Sequence, residues 1–139
     1  MASELTVTRE DGRTRLTLNR PDRANALNPA LTEALIEALQ NASEDGTRLV
    51  VVEGTGKSLC SGFDLSDFDS LSDGDLVLRL LRIEVMLQTL HHMPLPTVAL
   101  AHGRNFGAGA DLFCACSRRV SVADVKFRMP GLAFGIVLG

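Results

Sequence analysis

The segment Asn105–Asp111 combines small residues and one acid at a point where an apolar strand is predicted to turn into a helix. Unpaired backbone N–H groups at a helix start favour negative charge, and small side chains let a ligand approach them closely. Asp111 lies about one helical turn further on, where a carboxylate can move a proton. The segment therefore predicts a site for an anion, or for a carbonyl oxygen that becomes one.

Two phosphate-binding motifs almost match the sequence. Gly56-Lys57-Ser58 resembles the end of a P-loop, but the first glycine of that motif would fall at Val51, inside a predicted strand. Gly107-Ala108-Gly109 follows a strand, but the third glycine of a dinucleotide fingerprint would fall at Leu112. The P-loop is excluded, and a dinucleotide-binding domain stays an alternative that lacks its third glycine.

Length and composition predict one domain over residues 1–139, of which 45% are hydrophobic. A net charge of −3 gives no reason to expect a nucleic acid or a membrane surface as partner. Apolar runs are too short for a bilayer span, and Met1–Glu10 lacks the core of a signal peptide, which predicts a cytoplasmic protein. The cysteines and histidines lack zinc-site spacing, so we expect no metal and expect the cysteines to be small buried residues: Cys60, Cys114 and Cys116.

The first half of the chain predicts a hairpin, a helix and a buried strand. Thr6–Arg9 and Thr14–Asn19 flank the turn residues Asp11-Gly12. Asn28 can cap a helix that has Pro29 at its first position. The apolar stripe of that helix and the following β-branched strand are formed by Leu31, Ala34, Leu35, Ala38, Leu39 and Ala42, and by Leu49–Val52.

The second half alternates helices and strands. A helix is predicted from about Asp75 to His91, where Pro94 and Pro96 follow its end. Crossovers between strands usually mean parallel pairing, so the order predicts a mixed α/β fold. The buried stripe of this helix is expected at Leu76, Leu80, Ile83, Leu87 and Leu90, and the remaining elements at Thr97–Ala101, Gly107–Ser117, Val120–Ala123 and Val125–Phe127.

Three segments together resemble the crotonase (enoyl-CoA hydratase/isomerase) superfamily. Lys57–Leu65 and Gly103–Leu112 are similar to its two signature segments, and Asn19–Asn28 is similar to its first acyl-CoA contact segment. Their order and spacing extend over almost the whole chain. The resemblance implies a crotonase-like (ClpP/crotonase) α/β spiral of ββα units that forms an acyl-CoA-binding core domain.

The resemblance also implies a catalytic role for three residues. The backbone N–H groups of Phe63 and Ala108 would form an oxyanion hole that stabilises the enolate of a thioester. Asp111 would act as acid or base, whereas the position of the family's second carboxylate matches Gly131. The implied activity is that of an enoyl-CoA hydratase or double-bond isomerase, and the alternative is a non-catalytic acyl-CoA-binding or assembly module.

Coenzyme A is the implied ligand, as part of the substrate, and no permanently bound cofactor is expected. Arg20, Arg23 or Lys57 could meet its phosphates, although each could equally be an ordinary solvated charge. The residues implied to contact coenzyme A are Arg23, Ala24, Ala26, Ser61, Asp64, Leu65 and Gly107.

The C-terminal segment Leu132–Gly139 is almost wholly apolar. Proteins rarely expose such a tail, and crotonase-family chains are about twice this length. We therefore expect either that the chain is incomplete at its C-terminus, without the C-terminal helical part of the fold, or that another subunit buries the tail. The resemblance implies a homo-oligomer, a trimer or a hexamer.

Overall fold

The structure, a computed structural model, describes residues 3–136. Strands and helices alternate along the chain in the mixed order that the sequence predicts. The elements are β1 (Leu5–Glu10), β2 (Arg13–Leu18), α1 (Pro29–Glu44), β3 (Leu49–Gly54), α2 (Asp73–His91), β4 (Thr97–Ala101), β5 (Arg104–Phe106), α3 (Ala108–Ala115), β6 (Arg118–Ser121) and β7 (Lys126–Arg128).

The predicted hairpin is confirmed. β1 and β2 pair antiparallel from Leu5 opposite Leu18 to Glu10 opposite Arg13. Asp11 and Gly12 both have positive φ, +51° and +77°, as a two-residue type I′ turn requires. The turn therefore follows directly from the Asp-Gly pair.

The main sheet has five strands in the order β1-β2-β3-β4-β6. From β2 onward each neighbouring pair is parallel, which confirms the predicted crossover fold. β5 and β7 form a second, two-stranded parallel sheet. Since the carboxyl ends of parallel strands lie at one edge of a sheet, the loops after β3 and β4 emerge side by side.

Helix α1 forms as predicted. The Asn28 side chain accepts a hydrogen bond from the N–H of Leu31 at 2.8 Å, and Pro29 occupies the first turn. The buried face contains most of the predicted stripe and joins the leucines of β2 and the valines of β3 in one core. Burying each large side chain contributes about 1.5–3 kcal/mol. The buried residues of α1 are Leu31, Thr32, Leu35, Ile36, Ala38, Leu39 and Ala42.

The predicted stripe of α2 is wrong in its first half. Leu80 is 47% exposed, whereas Arg79 beside it is buried. The helix begins at Asp73, two residues earlier than predicted, because Ser72 and Asp75 form a capping box. Its leucines are compatible with more than one buried face, and the structure selects the face formed by Arg79, Ile83, Met86 and Leu90.

Several boundaries near the C-terminus also differ from the prediction. The sequence pattern did not show β5, and β6 begins at Arg118, two residues before the predicted strand. Both strands are short; β6 is exposed throughout, and the one buried residue of β5 is polar, so neither strand carries a clear apolar alternation. Cys114 is exposed, contrary to the prediction, while Cys60 and Cys116 are buried.

The apolar C-terminal residues that the structure describes are exposed. Leu132 is 80% exposed, Phe134 67% and Ile136 50%. Val137 and Leu138, which belong to the same predicted tail, lie outside the described residues. Within residues 3–136, no helix is both long enough and apolar enough to cross a bilayer.

Candidate active site

Two glycines bring the loop after β3 against the start of α3. A Cβ on Gly109 would lie 2.0 Å from the carbonyl oxygen of Cys60, and a Cβ on Gly62 would lie 2.5 Å from that of Phe106. Gly62 also has a φ of +103°, which L-residues rarely adopt. The two signature segments therefore touch through their backbones, and a side chain at either glycine would separate them.

A buried asparagine holds the same junction from within. The Asn105 Oδ1 accepts a hydrogen bond from the N–H of Cys60 at 3.1 Å, and its Nδ2 donates to the carbonyl of His102 at 3.1 Å. Asn105 is fully buried. This role of Asn105 was not predicted, although an amide side chain beside the small residues of the second signature segment was a possible signal.

The direction of the Phe63 N–H follows from an isolated bridge between Phe63 and Leu27. The N–H of Leu27 donates to the carbonyl of Gly62 at 2.7 Å, and the N–H of Asp64 donates to the carbonyl of Leu27 at 3.1 Å. Because neighbouring N–H groups of an extended chain point to opposite sides, the Phe63 N–H points away from Leu27. It has no acceptor among residues 3–136.

The Ala108 N–H lies at the same junction. Ala108 is the first residue of α3, so its N–H has no partner within the helix, and it has none elsewhere in the described part of the chain. Its nitrogen is 3.6 Å from the position that a Cβ on Gly62 would occupy. Two unpaired backbone donors from separate loops thus lie where the loops meet.

The third motif segment is bonded to the first signature loop. The Ala24 carbonyl accepts hydrogen bonds from the Ser61 N–H at 3.0 Å and from the Ser58 hydroxyl at 3.1 Å. Buried Asn25 accepts from the N–H of Arg20 at 2.7 Å and donates to the Ser58 carbonyl at 3.0 Å. All three motif segments therefore form one unit, and Asn25 is a second buried asparagine whose role was not predicted.

Arg20 and Asp64, both expected near coenzyme A, form an ion pair with each other. Arg20 Nη1 is 2.9 Å from Asp64 Oδ2, and both side chains are largely buried. The other polar groups of Asp64 also have partners inside the protein, because its N–H donates to Leu27 and its carbonyl accepts from Arg79. The pair therefore links Asn19–Asn28 to the first signature segment.

The pKa of Asp64 reflects this pairing. Burial alone would raise the pKa of the carboxyl group, but hydrogen bonds from Ser66 and Arg20 and the charge of Arg20 lower it below its usual value. Asp64 is thus held ionised in the folded protein.

The remaining residues implied to contact coenzyme A lie around this unit. Arg23 and Lys57 are exposed, and neither has an ion-pair partner within residues 3–136. Leu65 is 57% exposed, whereas Ala26 is buried. Ser61, Ala24 and Gly107 are half-buried.

Asp111 lies half-buried in the first turn of α3. Within the described residues its carboxylate has neither a hydrogen-bond donor nor an ion-pair partner. Burial raises the pKa of Asp111, and the negative charge of Glu84 on α2 raises it further. Glu84, which the sequence did not single out, is thus a second carboxylate near Asp111, while Gly131 begins a 3-10 turn and supplies no side chain.

Metal ligands do not cluster in this part of the chain. Among residues 3–136 no three His, Cys, Asp or Glu side chains come close enough together to hold a metal ion. The candidate site instead combines unpaired backbone N–H donors, the carboxylate of Asp111 and exposed cations, and the N–H donors suit an oxygen on which negative charge develops.

The parallel sheet and its two converging loops define the crotonase class of fold. A crystal structure of a Bordetella parapertussis protein described as an enoyl-CoA hydratase/isomerase superposes with a TM-score of 0.95 at 46% identity, covering 99% of this chain and 57% of the other. A Mycobacterium smegmatis enoyl-CoA hydratase superposes with a TM-score of 0.90 at 32% identity, covering 96% and 53%.

The sequence comparisons agree with the structural ones. Residues 8–139 match the family model described as enoyl-CoA hydratase/isomerase. The mitochondrial Delta(3,5)-Delta(2,4)-dienoyl-CoA isomerase of Rattus norvegicus is 35% identical over 131 residues, 86% of this chain and 40% of the relative. A Mycobacterium leprae protein described as a probable enoyl-CoA hydratase is 35% identical over 137 residues, 95% of this chain and 53% of the relative.

This chain belongs to the enoyl-CoA hydratase/isomerase family. The predicted family and fold class are therefore confirmed. The chain spans about half the length of the curated relatives it matches.

Proposed function

We propose that this protein binds an acyl-CoA thioester and stabilises its enolate with the backbone N–H groups of Phe63 and Ala108. The observation that carries the proposal is the pair of unpaired donors at the junction of the two loops. Preorganised donors of this kind stabilise the charge that develops on a carbonyl oxygen, and losing one costs roughly 3–4 kcal/mol. Backbone donors do not depend on side-chain type, so phenylalanine and alanine fit these positions.

Asp111 is the proposed acid and base. Burial, and then the charge of Glu84, raise its pKa, which makes it a stronger proton acceptor than an ordinary carboxylate. Hydration of a double bond also needs a positioned water, for which the family's second carboxylate is replaced by Gly131. We therefore propose double-bond isomerisation, in which one base moves a proton along the acyl chain, ahead of hydration.

Coenzyme A would bind along the surface formed by the joined segments. Backbone groups around Ala24 and Ala26, around Ser61 and Leu65, and around Gly107 would contact the pantetheine and adenine. The exposed guanidinium of Arg23 and the ammonium of Lys57 would meet the phosphates. In this proposal the thioester is the substrate, and no permanently bound cofactor takes part.

The alternative is a non-catalytic acyl-CoA-binding or assembly module, and Gly131 is the observation that favours it. Incubation with acyl-CoA and enoyl-CoA thioesters in D₂O, followed by mass spectrometry, separates the two. The enzyme should incorporate deuterium at the α- or γ-carbon, whereas a binding module should raise the melting temperature with acyl-CoA and exchange nothing. No thermal response of the folded protein to millimolar acyl-CoA would contradict both functions.

We also propose a homotrimer or a hexamer. Leaving the side chains of Leu132, Phe134 and Ile136 in water forfeits burial worth roughly 1.5–3 kcal/mol each, so we expect either another subunit or parts of the family fold that this chain does not span to cover them. Sedimentation at micromolar concentration should show the oligomer, and a soluble monomer with this segment protected from hydrogen exchange would contradict it. The cytoplasmic location stays a prediction.

A further inference from the structure

Arg79 is the first buried residue of α2 and the one charged residue on the buried face of that helix. Its side chain is 7% exposed, while the apolar side chains on either side of it, Leu78 and Leu80, are 57% and 47% exposed. A buried charge is costly unless its donors are used. The burial of the Arg79 charge therefore requires hydrogen-bond partners, and the contacts of its guanidinium provide them.

The guanidinium of Arg79 makes two hydrogen bonds and one ring contact within residues 3–136, all to the loop that follows β3. Nη2 donates to the carbonyl of Asp64 at 2.8 Å, and Nη1 donates to the carboxylate of Asp67 at 2.8 Å. The guanidinium carbon lies 4.1 Å from the ring centroid of Phe63, the distance of a cation–π contact. One side chain thus holds the ring of Phe63 and the carbonyl of Asp64 at the same time.

Leu27 holds the other side of the same segment. The Gly62 carbonyl accepts from the N–H of Leu27 at 2.7 Å, and it shares a planar peptide with the Phe63 N–H, so this bond sets the plane of the donor. Gly62 has a positive φ and adds backbone freedom next to that peptide. Leu27 and Arg79 therefore restrain Phe63 from two sides, Leu27 through the donor peptide and Arg79 through the ring and the Asp64 carbonyl.

We propose that Arg79 is a positioning residue that holds Phe63 in place, so that the Phe63 N–H, whose peptide plane Leu27 sets, stays directed at the thioester oxygen. The inference rests on the oxyanion hole proposed above. A guanidinium suits this role because its N–H groups donate hydrogen bonds within its own plane while its flat face stacks on the Phe63 ring. An ammonium group is a point charge and cannot make both contacts. Arg79 does not touch the substrate, and it acts through the orientation of one backbone donor.

The test follows how strongly the carbonyl oxygen of a bound thioester is polarised. The probe is 2,4-hexadienoyl-CoA, whose conjugated absorption moves to longer wavelength when hydrogen bonds polarise its carbonyl group. Wild type, Arg79→Lys and Arg79→Met are compared, each after circular dichroism has shown that it is folded. Arg82→Lys is the matched control, because Arg82 lies one turn further on the same helix and pairs with exposed Glu33 at 2.6 Å.

We expect bound probe to show a smaller red shift in both Arg79 variants and an unchanged shift in Arg82→Lys. The rate of deuterium exchange at saturating substrate should fall on the order of 10- to 100-fold, with KM changed less than about threefold, since a misplaced donor weakens the transition state more than the ground state. A purely structural role would lower the melting temperature without changing the absorption of the bound probe.

Asp67→Asn supplies a variant that keeps the arginine. The substitution weakens the half-exposed ion pair between Arg79 and Asp67 but leaves the ring contact and the bond to the Asp64 carbonyl. The red shift of the probe bound to Asp67→Asn should therefore be closer to the wild-type value than the red shift seen with Arg79→Lys. Folded Arg79 variants with the wild-type red shift and rate would overturn the inference. If wild type binds the probe without any red shift, the proposed oxyanion hole is contradicted. The proposed role of Arg79, which depends on that hole, is then contradicted as well.

Discussion

The side-chain amide of Asn105 accepts a hydrogen bond from the N–H of Cys60 at 3.1 Å, across 45 residues of sequence. This bond joins the two signature segments at the point where Phe63 and Ala108 present their N–H groups. The geometry of the candidate oxyanion hole therefore depends on one buried polar residue that touches neither donor.

Replacing Asn105 by leucine should destabilise the protein by about 1–3 kcal/mol. The substitution leaves the buried Cys60 N–H without its partner and removes one of the two donors to the His102 carbonyl, which keeps the N–H of Leu59. Urea unfolding measures the change, and Asn41→Leu on the exposed face of α1 is the control, with an expected change within about 0.5 kcal/mol. Equal stability of the two variants would show that the amide is dispensable.

Gly109→Ala should weaken both stability and acyl-CoA binding. Its Cβ would lie 2.0 Å from the Cys60 carbonyl oxygen, so the loops must separate, at a cost of at least about 1–3 kcal/mol. Gly74→Ala is the matched control, because Gly74 lies in α2, where a Cβ would make only an ordinary contact, 3.9 Å from the Ser72 hydroxyl oxygen, and alanine is the better helix former by about 1 kcal/mol. In thermal melts, the melting temperature should fall in Gly109→Ala and rise in Gly74→Ala. The further rise on adding acyl-CoA should be smaller in Gly109→Ala.

Asp111→Asn should abolish most proton exchange while acyl-CoA still binds. Removing a general base typically lowers the rate by about 10²- to 10⁴-fold, and the amide keeps the shape of the side chain. Exchange is followed by mass spectrometry in D₂O, and Asp69→Asn on the exposed 3-10 turn serves as the control. Unchanged exchange in Asp111→Asn would make this residue structural.

The same substitution should raise stability at neutral pH. Burial, and then the charge of Glu84, raise the pKa of Asp111 in the folded state. The folded protein therefore holds this proton more tightly than the unfolded chain, and ionised Asp111 costs stability as the pH rises through its folded pKa. Asp111→Asn should be more stable than wild type above that pKa, and the difference should vanish below the ordinary carboxyl pKa. Urea unfolding as a function of pH measures it, and Glu84→Gln should recover part of the same gain.

Asp64→Asn should destabilise the protein by about 3 kcal/mol at pH 7, because it leaves the buried guanidinium of Arg20 without its closest carboxylate. The folded pKa of Asp64 is lowered, so the stability from this group is present above its unfolded pKa and is lost as the pH falls through the folded value. Chemical unfolding between pH 7 and pH 3 should show the variant and wild type converging at low pH. A constant gap would assign the loss to packing instead of charge.

Local sequence determined the elements whose signals lie within a few residues. Asp11-Gly12 specifies its hairpin because both residues accept positive φ, and Asn28-Pro29 specifies the start of α1 because one caps the helix and the other has the helical φ already. The continuous apolar run of β3 predicts a strand that is covered on both faces. The small residues after β4 also indicated the position of the candidate site, since close backbone contact requires them.

Only the tertiary structure decided which partners distant residues find. The leucines of α2 allow more than one buried face, and the loop at Phe63–Asp67 selects the face that contains Arg79. Likewise Asp64 has the residue type of a ligand contact, and it becomes a scaffold residue because Arg20 lies beside it in the folded chain. Periodicity reports which residues are apolar, but pairing between residues far apart in sequence depends on how the crossovers bring the segments together in space.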